Sequence, residues 1–221
     1  MLANMSLGAR QIFYGNILMV VCCVFYLAWW LLAFRPVDPI KGVQSGWLLI
    51  PAALAGVAAM VLIIWGITAA GGAGGITASG GAGGITAAGD AGGITAAGSK
   101  QALLPNYAFI IGGIVLYIIL AIVTVVVFKR QMTSELLLFV LWSALALAQT
   151  NTLYGSRLFS GALAVALAVL ILAVLAVSLV CYVLFYRLGG QAAFIDGMIP
   201  LALVGLAMAA MAVCMVVCTV R

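Results

Sequence analysis

The 221-residue chain contains no histidine and only four acidic residues. Histidine is a common general base and a common ligand of haem and zinc, so its absence removes the usual centre of many enzymes and metal sites. We therefore expect a protein that is not an enzyme and that uses no cofactor. Charged residues make up only 6% of the chain, which excludes an ordinary soluble domain and a basic surface for nucleic acid.

Apolar residues dominate instead: 67% of the chain is hydrophobic and its mean hydropathy is +1.37. A helix needs about 20 apolar residues to cross a hydrocarbon layer of about 30 Å. The sequence predicts an all-α, multi-pass integral membrane bundle, a single membrane domain over residues 1–221 in contact with the lipid bilayer. Six segments are long enough to be its transmembrane helices: 12–34, 47–67, 107–128, 134–153, 161–186 and 195–217.

The order of these segments predicts three helical hairpins. An even number of crossings places both termini on the same side of the membrane. The basic residues divide five against four between the two sides, which leaves the orientation open. "IPAALAGVAA" at Ile50–Ala59 is echoed by "IPLALVGLAM" at Ile199–Met208. The echo suggests hairpins related by duplication, and chance similarity between apolar segments is the alternative.

A glycine-rich tandem repeat follows the second predicted helix. Four copies of "GITA" begin at Gly66, Gly75, Gly84 and Gly93, a period of nine residues. One large apolar side chain per copy buries too little surface to offset a backbone entropy of about 1–2 kcal/mol per residue. We expect residues 68–99 to form a low-complexity loop that arose by expansion of a helix end. A weakly ordered repeat and a partner-binding element are the alternatives.

A few polar side chains lie within the predicted helices and could line a path for a polar ligand. Their alternative role is hydrogen bonding between helices. Glu135 and Asp196 lie at predicted helix starts, which indicates N-terminal caps rather than the mid-membrane acids of a proton-coupled pump. The candidates for the polar path are Asn16, Ser143, Gln149, Asn151 and Ser178.

Small residues and sulfur-containing residues form two further patterns. Small residues let membrane helices approach closely, and those expected to do so are Ala52, Gly56, Gly112, Gly113, Gly205 and Ala209. Packing is also the expected role of a sulfur-rich face on the last helix, although soft sulfur ligands in a row offer a Cu(I) site as the alternative. That face carries Met208, Met211, Met215 and Cys218. No other metal site is expected.

Two functions fit these patterns. The first is a small membrane protein for passive, channel-like transport of an unknown cargo along the polar path. The second is a non-catalytic structural, assembly or sensing subunit that packs against another membrane protein. Partners are then a second copy of the chain or another membrane protein, and nucleic acid is not among them.

The repeat generates the first prediction. Deleting Gly71–Ala97 joins "WGITAA" to "GSKQALLPNY". We expect the shortened protein to insert into the membrane and to unfold at the same temperature in detergent as the parent, because a flexible loop adds little to stability. A clearly lower unfolding temperature would show instead that the repeat is ordered and packed against the helices.

Overall fold

The computed structural model describes residues 5–33, 45–72, 106–126, 134–185, 187–188 and 190–220. Within these residues all regular structure is helical. A short 3₁₀ turn at Ser45–Leu48 precedes the second helix. The α-helices are α1 Leu7–Ala33, α2 Leu49–Gly72, α3 Asn106–Val126, α4 Ser134–Gly155, α5 Gly161–Phe185 and α6 Gly190–Val220. The prediction of an all-α bundle of six helices is confirmed.

The helix boundaries differ from the predicted ones mainly at three places. α1 begins at Leu7, where the Ser6 hydroxyl accepts a hydrogen bond from the Ala9 amide at 3.3 Å, as a helix cap does. α6 begins at Gly190, five residues before the predicted start. α2 continues to Gly72, so the predicted loop at 68–99 starts too early. The rest of that loop, with the second to fourth repeat copies, lies outside the described residues.

Five of the six helices are long and apolar enough to cross a membrane, namely α1, α2, α4, α5 and α6. In α3 the corresponding apolar stretch is shorter, at Ala108–Val123. Five helices could therefore span a membrane, which is consistent with a multi-pass membrane protein, and a sixth span at α3 stays a prediction.

Each helix packs against its neighbour along the chain as a hairpin, α1 with α2, α3 with α4 and α5 with α6. Further contacts of α1 with α6, α4 with α5 and α2 with α4 join the hairpins into one bundle. α3 packs mainly on α4, and isoleucines along it such as Ile110, Ile114 and Ile118 are about half exposed. Apolar side chains exposed in this way suit a surrounding bilayer, since lipid tails are as apolar as they are.

The most extensive contact, between α1 and α2, depends on glycine. A Cβ atom on Gly66 would lie 2.7 Å from the backbone oxygen of Gly8 and 2.6 Å from Cγ1 of Ile12. A Cβ on Gly15 would lie 2.6 Å from Cγ1 of Ile63. Side chains at these glycines would push the two backbones apart. The first repeat copy therefore begins at a residue that α1 requires, and α2 keeps its helical form through the glycine-rich end where α1 packs on it.

This contact generates a paired prediction. We expect Gly66→Ala to reduce the free energy of unfolding by about 1–3 kcal/mol, because the new methyl group meets backbone atoms that must move. Gly112→Ala is the matched control, since no heavy atom lies within 4 Å of its Cβ position. Unfolding temperatures in one detergent give the comparison, and equal stability of the two variants would contradict the close α1–α2 contact.

Candidate functional site

The described helices enclose a cavity of about 470 Å³. It lies between α1, α2, α4, α5 and α6, and α3 takes no part in it. Its lining residues come from the C-terminal halves of α1 and α5 and from the N-terminal halves of α2, α4 and α6. The cavity therefore occupies the half of the bundle next to the loops after α1, α3 and α5, which we call the odd-loop side.

The cavity is mostly apolar and reaches the surface of the bundle. Met19 and Met60 line it at the greatest distance from the odd-loop side. Val57 and Leu138 also line it, and they are 66% and 52% exposed. These two residues place the mouth of the cavity between α2 and α4, on a surface that is itself apolar.

Several polar groups lie among the apolar lining, and those of Asp196, Cys181 and Trp142 bear most on its chemistry. Asp196 of α6 is only 7% exposed, and its Oδ2 has no hydrogen-bond partner among the described residues. The Cys181 thiol of α5 is within hydrogen-bonding reach of the same carboxyl group. Trp142 of α4 is 6% exposed, and the described part of the chain offers no acceptor to its Nε1. The cavity wall thus contains one carboxyl oxygen and one indole N–H that have no hydrogen-bond partner among the described residues.

The structure corrects the interpretation of Asp196 as a helix cap. α6 begins at Gly190, so Asp196 lies six residues inside the helix, about 9 Å along its axis. Its carboxyl group lies in the second turn and lines the cavity rather than the helix end. Glu135 is the second residue of α4, where a carboxylate is favoured by the helix dipole.

All five candidates for the polar path are buried, but they do not form one group. The Asn16 amide on α1 donates to the Met215 sulfur at 3.8 Å, and the Gln149 amide on α4 donates to the Met208 sulfur at 3.9 Å. Their oxygens, Asn16 Oδ1 and Gln149 Oε1, meet no donor within the described ranges. Both amides therefore lie against α6, beyond the deep end of the cavity: Asn16 is one turn past Met19 on α1.

The remaining three candidates are engaged elsewhere. The Ser143 hydroxyl donates to the Phe139 carbonyl at 2.8 Å and the Ser178 hydroxyl to the Val174 carbonyl at 2.7 Å, each within its own helix. Asn151 donates from Nδ2 to Oδ1 of Asn106 at 3.0 Å and so ties α4 to the start of α3. Of the five, Asn16 and Gln149 are the two that approach one helix face together.

That face of α6 is the predicted row of sulfur-containing residues. Met208, Met211 and Met215 are each at most 1% exposed, and Cys218 is half-buried. The sulfurs of Met208 and Met215 accept the two amide hydrogen bonds described above. The described residues contain no cluster of three or more Cys, Asp or Glu arranged to hold a metal. Copper binding by the sulfur row stays an alternative prediction.

Some of the small residues predicted to pack helices do contact another helix, and others do not. A Cβ on Gly56 would lie 3.1 Å from Cys22 Sγ, and one on Gly205 would lie 3.2 Å from Cys23 Cβ. Gly113, rather than its neighbour Gly112, approaches α4, at 2.9 Å from Ala144 Cβ. Gly112 therefore does not serve a helix contact in this bundle. Of the two alanines, Ala52 is 2% exposed and lines the cavity, whereas Ala209 is half-buried.

Sequence reasoning missed the residues that matter most to this site. Nothing in the apolar segments indicated a cavity, and a single Asp near a helix start has the pattern of a cap. Asn106 was missed because it precedes the predicted start of the third helix. The seven-residue spacing of Gly8 and Gly15 on α1 was the available signal for the close contact with α2, because residues seven apart share a helix face.

No protein-family model, curated protein or solved structure matches the chain. The function is therefore inferred from the cavity, its polar groups and the amide contacts beyond it. These features are all formed by described residues of the one chain.

The polar contacts generate a prediction that separates Asn151 from Gln149. We expect Asn151→Leu to destabilise the protein by about 1 kcal/mol, because it leaves the half-buried Asn106 oxygen without its donor. Gln149→Leu should be close to neutral, since it removes only a long contact to sulfur and an unpartnered oxygen. Unfolding temperatures in detergent check this order, and a larger loss for Gln149→Leu would contradict it.

Proposed function

We propose that the protein is a small, non-catalytic membrane protein that binds an amphipathic solute in the cavity and carries it passively across the bilayer. The observation that carries this proposal is the cavity of about 470 Å³ between five helices. Ligand sites have volumes of about 300–1,000 Å³ and combine mostly apolar walls with a few polar groups. The mouth between α2 and α4 suits a solute that partitions into the membrane before it enters.

The two amides beyond the cavity support passage rather than binding alone. Asn16 and Gln149 lie between the deep end of the cavity and the side where α1 begins and α6 ends. Their contacts to methionine are long and weak, and each amide retains an oxygen that accepts no hydrogen bond from the described residues. A solute or water that donates to these oxygens would replace weak contacts with stronger ones. Methionine side chains are flexible and repack easily, which suits contacts that must break and form again as a solute passes.

The placement of carboxyl groups supports a passive mechanism. Proton-coupled transporters usually place an ionisable group deep within the membrane, where its charge is costly and its protonation drives the cycle. In the described helices the acidic residues are Glu135, the second residue of α4, and Asp196, the seventh residue of α6. Neither residue lies at mid-helix, which favours a passive mechanism over a proton-coupled one.

The subunit alternative receives less support from the small residues. If Gly56 or Gly205 packed against another membrane protein, bulky changes there would release that partner. Both glycines instead pack against α1 of the same chain, beside Cys22 and Cys23. Such changes would disturb the bundle itself, so they do not mark a surface for another protein.

The proposal is tested by flux into liposomes that contain the purified protein. Two aromatic probes of opposite charge are used, ethidium and 1-anilinonaphthalene-8-sulfonate, with protein-free vesicles as the baseline. We expect the protein to speed the entry of at least one probe, in proportion to its gradient and without an ion gradient. Val204→Phe, at a buried lining position, should slow that entry because the ring fills part of the cavity.

Leu206→Phe is the matched control for this experiment. It places the same ring on α6, but Leu206 is 66% exposed and does not line the cavity. We expect it to leave the entry rate unchanged. If neither probe enters faster than in protein-free vesicles, or if both variants act alike, the transport proposal is wrong.

A further inference from the structure

We propose that the cavity selects organic cations: solutes that carry an ammonium or similar positive group on an apolar body. Asp196 would pair with the charge, and the surrounding aromatic side chains would enclose the apolar groups. This inference rests on the proposed function in one respect, that the cavity is a ligand site. It adds the chemical class of the ligand and the residue that determines it.

The burial of Asp196 favours a ligand that carries a positive charge. A carboxylate buried in apolar surroundings is costly unless a positive charge or several hydrogen bonds compensate it. The thiol of Cys181 is a weak donor, and Oδ2 is left without a partner in the described part of the chain. None of the described residues lining the cavity is a lysine or an arginine. A cation brought by the ligand would supply the missing charge.

Aromatic rings line the cavity together with Asp196. The faces of such rings attract cations, most strongly where water is excluded. Trp30 is held in place because its Nε1 donates to the Phe194 carbonyl at 3.1 Å, two residues before Asp196. Its ring packs on Gly197, where a Cβ would lie only 2.5 Å from Cζ2. The indole is therefore fixed against the turn of α6 that carries Asp196.

The ring cluster continues along the cavity wall. Phe185 lies against Trp30, with ring centroids 6.2 Å apart and planes inclined at 59°. Tyr26, Trp142 and Tyr182 line the same cavity. A cation can approach these rings and the carboxyl group together, whereas an anion of the same size would meet the negative charge of Asp196 and the negative ring faces. The cavity therefore distinguishes ligands by charge as well as by size.

Two probes of similar shape and different charge test this inference. Tetraphenylphosphonium is a permanent cation, and triphenylphosphine oxide is a neutral relative. Each is titrated into the intact protein in dodecyl maltoside, a neutral detergent without an amine, and tryptophan fluorescence reports binding. We expect the cation to bind at least about tenfold more tightly, which corresponds to about 1.4 kcal/mol.

Asp196→Asn tests whether that residue causes the preference. It keeps the shape of the side chain and removes the charge, so we expect the affinity for tetraphenylphosphonium to fall by at least about tenfold, with little change for the oxide. Asp90→Asn, in the glycine-rich repeat, removes the same charge elsewhere and should change neither affinity. If Asp196→Asn fails to fold, the comparison of the two probes on the unaltered protein still decides the question.

The outcomes separate this inference from the proposed function. Equal binding of both probes to the unaltered protein, or an unchanged cation affinity in Asp196→Asn, would overturn the inference while leaving a ligand cavity. Entry of the anionic probe alone in the flux experiment would do the same. Failure of both probes to bind, together with no flux, would overturn both proposals.

A cationic amine has two natural sources, a dissolved solute and a lipid headgroup. The titration is therefore repeated with phosphatidylethanolamine added to the detergent. Displacement of tetraphenylphosphonium by the lipid would identify a headgroup as the ligand. Binding that the lipid does not affect would identify a dissolved cation. Both results support recognition of the positive group, and they differ in where it comes from.

Discussion

The close approach of α1 to α2 and α6 is the constraint on which the rest of the bundle depends. Within a bilayer, burial from water does not drive helices together, so backbones must come close enough for van der Waals contact. Gly66 provides this on α2, against Gly8 of α1. Gly205 and Gly197 provide it on α6, against Cys23 and Trp30 of α1. α1 therefore packs between two helices, and each of them contacts it through glycine residues.

The echo between the second and sixth helices acquires a structural meaning in this arrangement. Gly56 and Gly205 occupy equivalent positions of the two similar segments. They contact neighbouring cysteines of α1, Cys22 and Cys23. Both segments thus perform the same task on two sides of one helix, which is the arrangement expected if the echo reflects a duplicated hairpin.

The cavity contains a side chain whose burial is energetically unfavourable, that of Asp196. The α1–α2 contact at Gly8 and Gly66 lies in one half of the bundle, and the cavity lies in the other. A buried carboxyl oxygen that has no partner among the described residues is energetically unfavourable, and such groups are commonly kept where they serve binding. The close α1–α2 contact and the cavity that contains Asp196 therefore occupy different halves of the bundle.

The sequence by itself determined the class of protein, because the length and apolar character of six segments allow little other than membrane helices. It did not determine which faces turn inward. These helices are apolar on all sides, so no amphipathic pattern distinguishes core from lipid. Only the tertiary structure decided that Asp196 faces a cavity, that Gly113 rather than Gly112 meets α4, and that Gly66 serves a contact as well as beginning a repeat. Each of these depends on what a neighbouring helix places opposite the residue, and distances between helices are not encoded in the local order of residues.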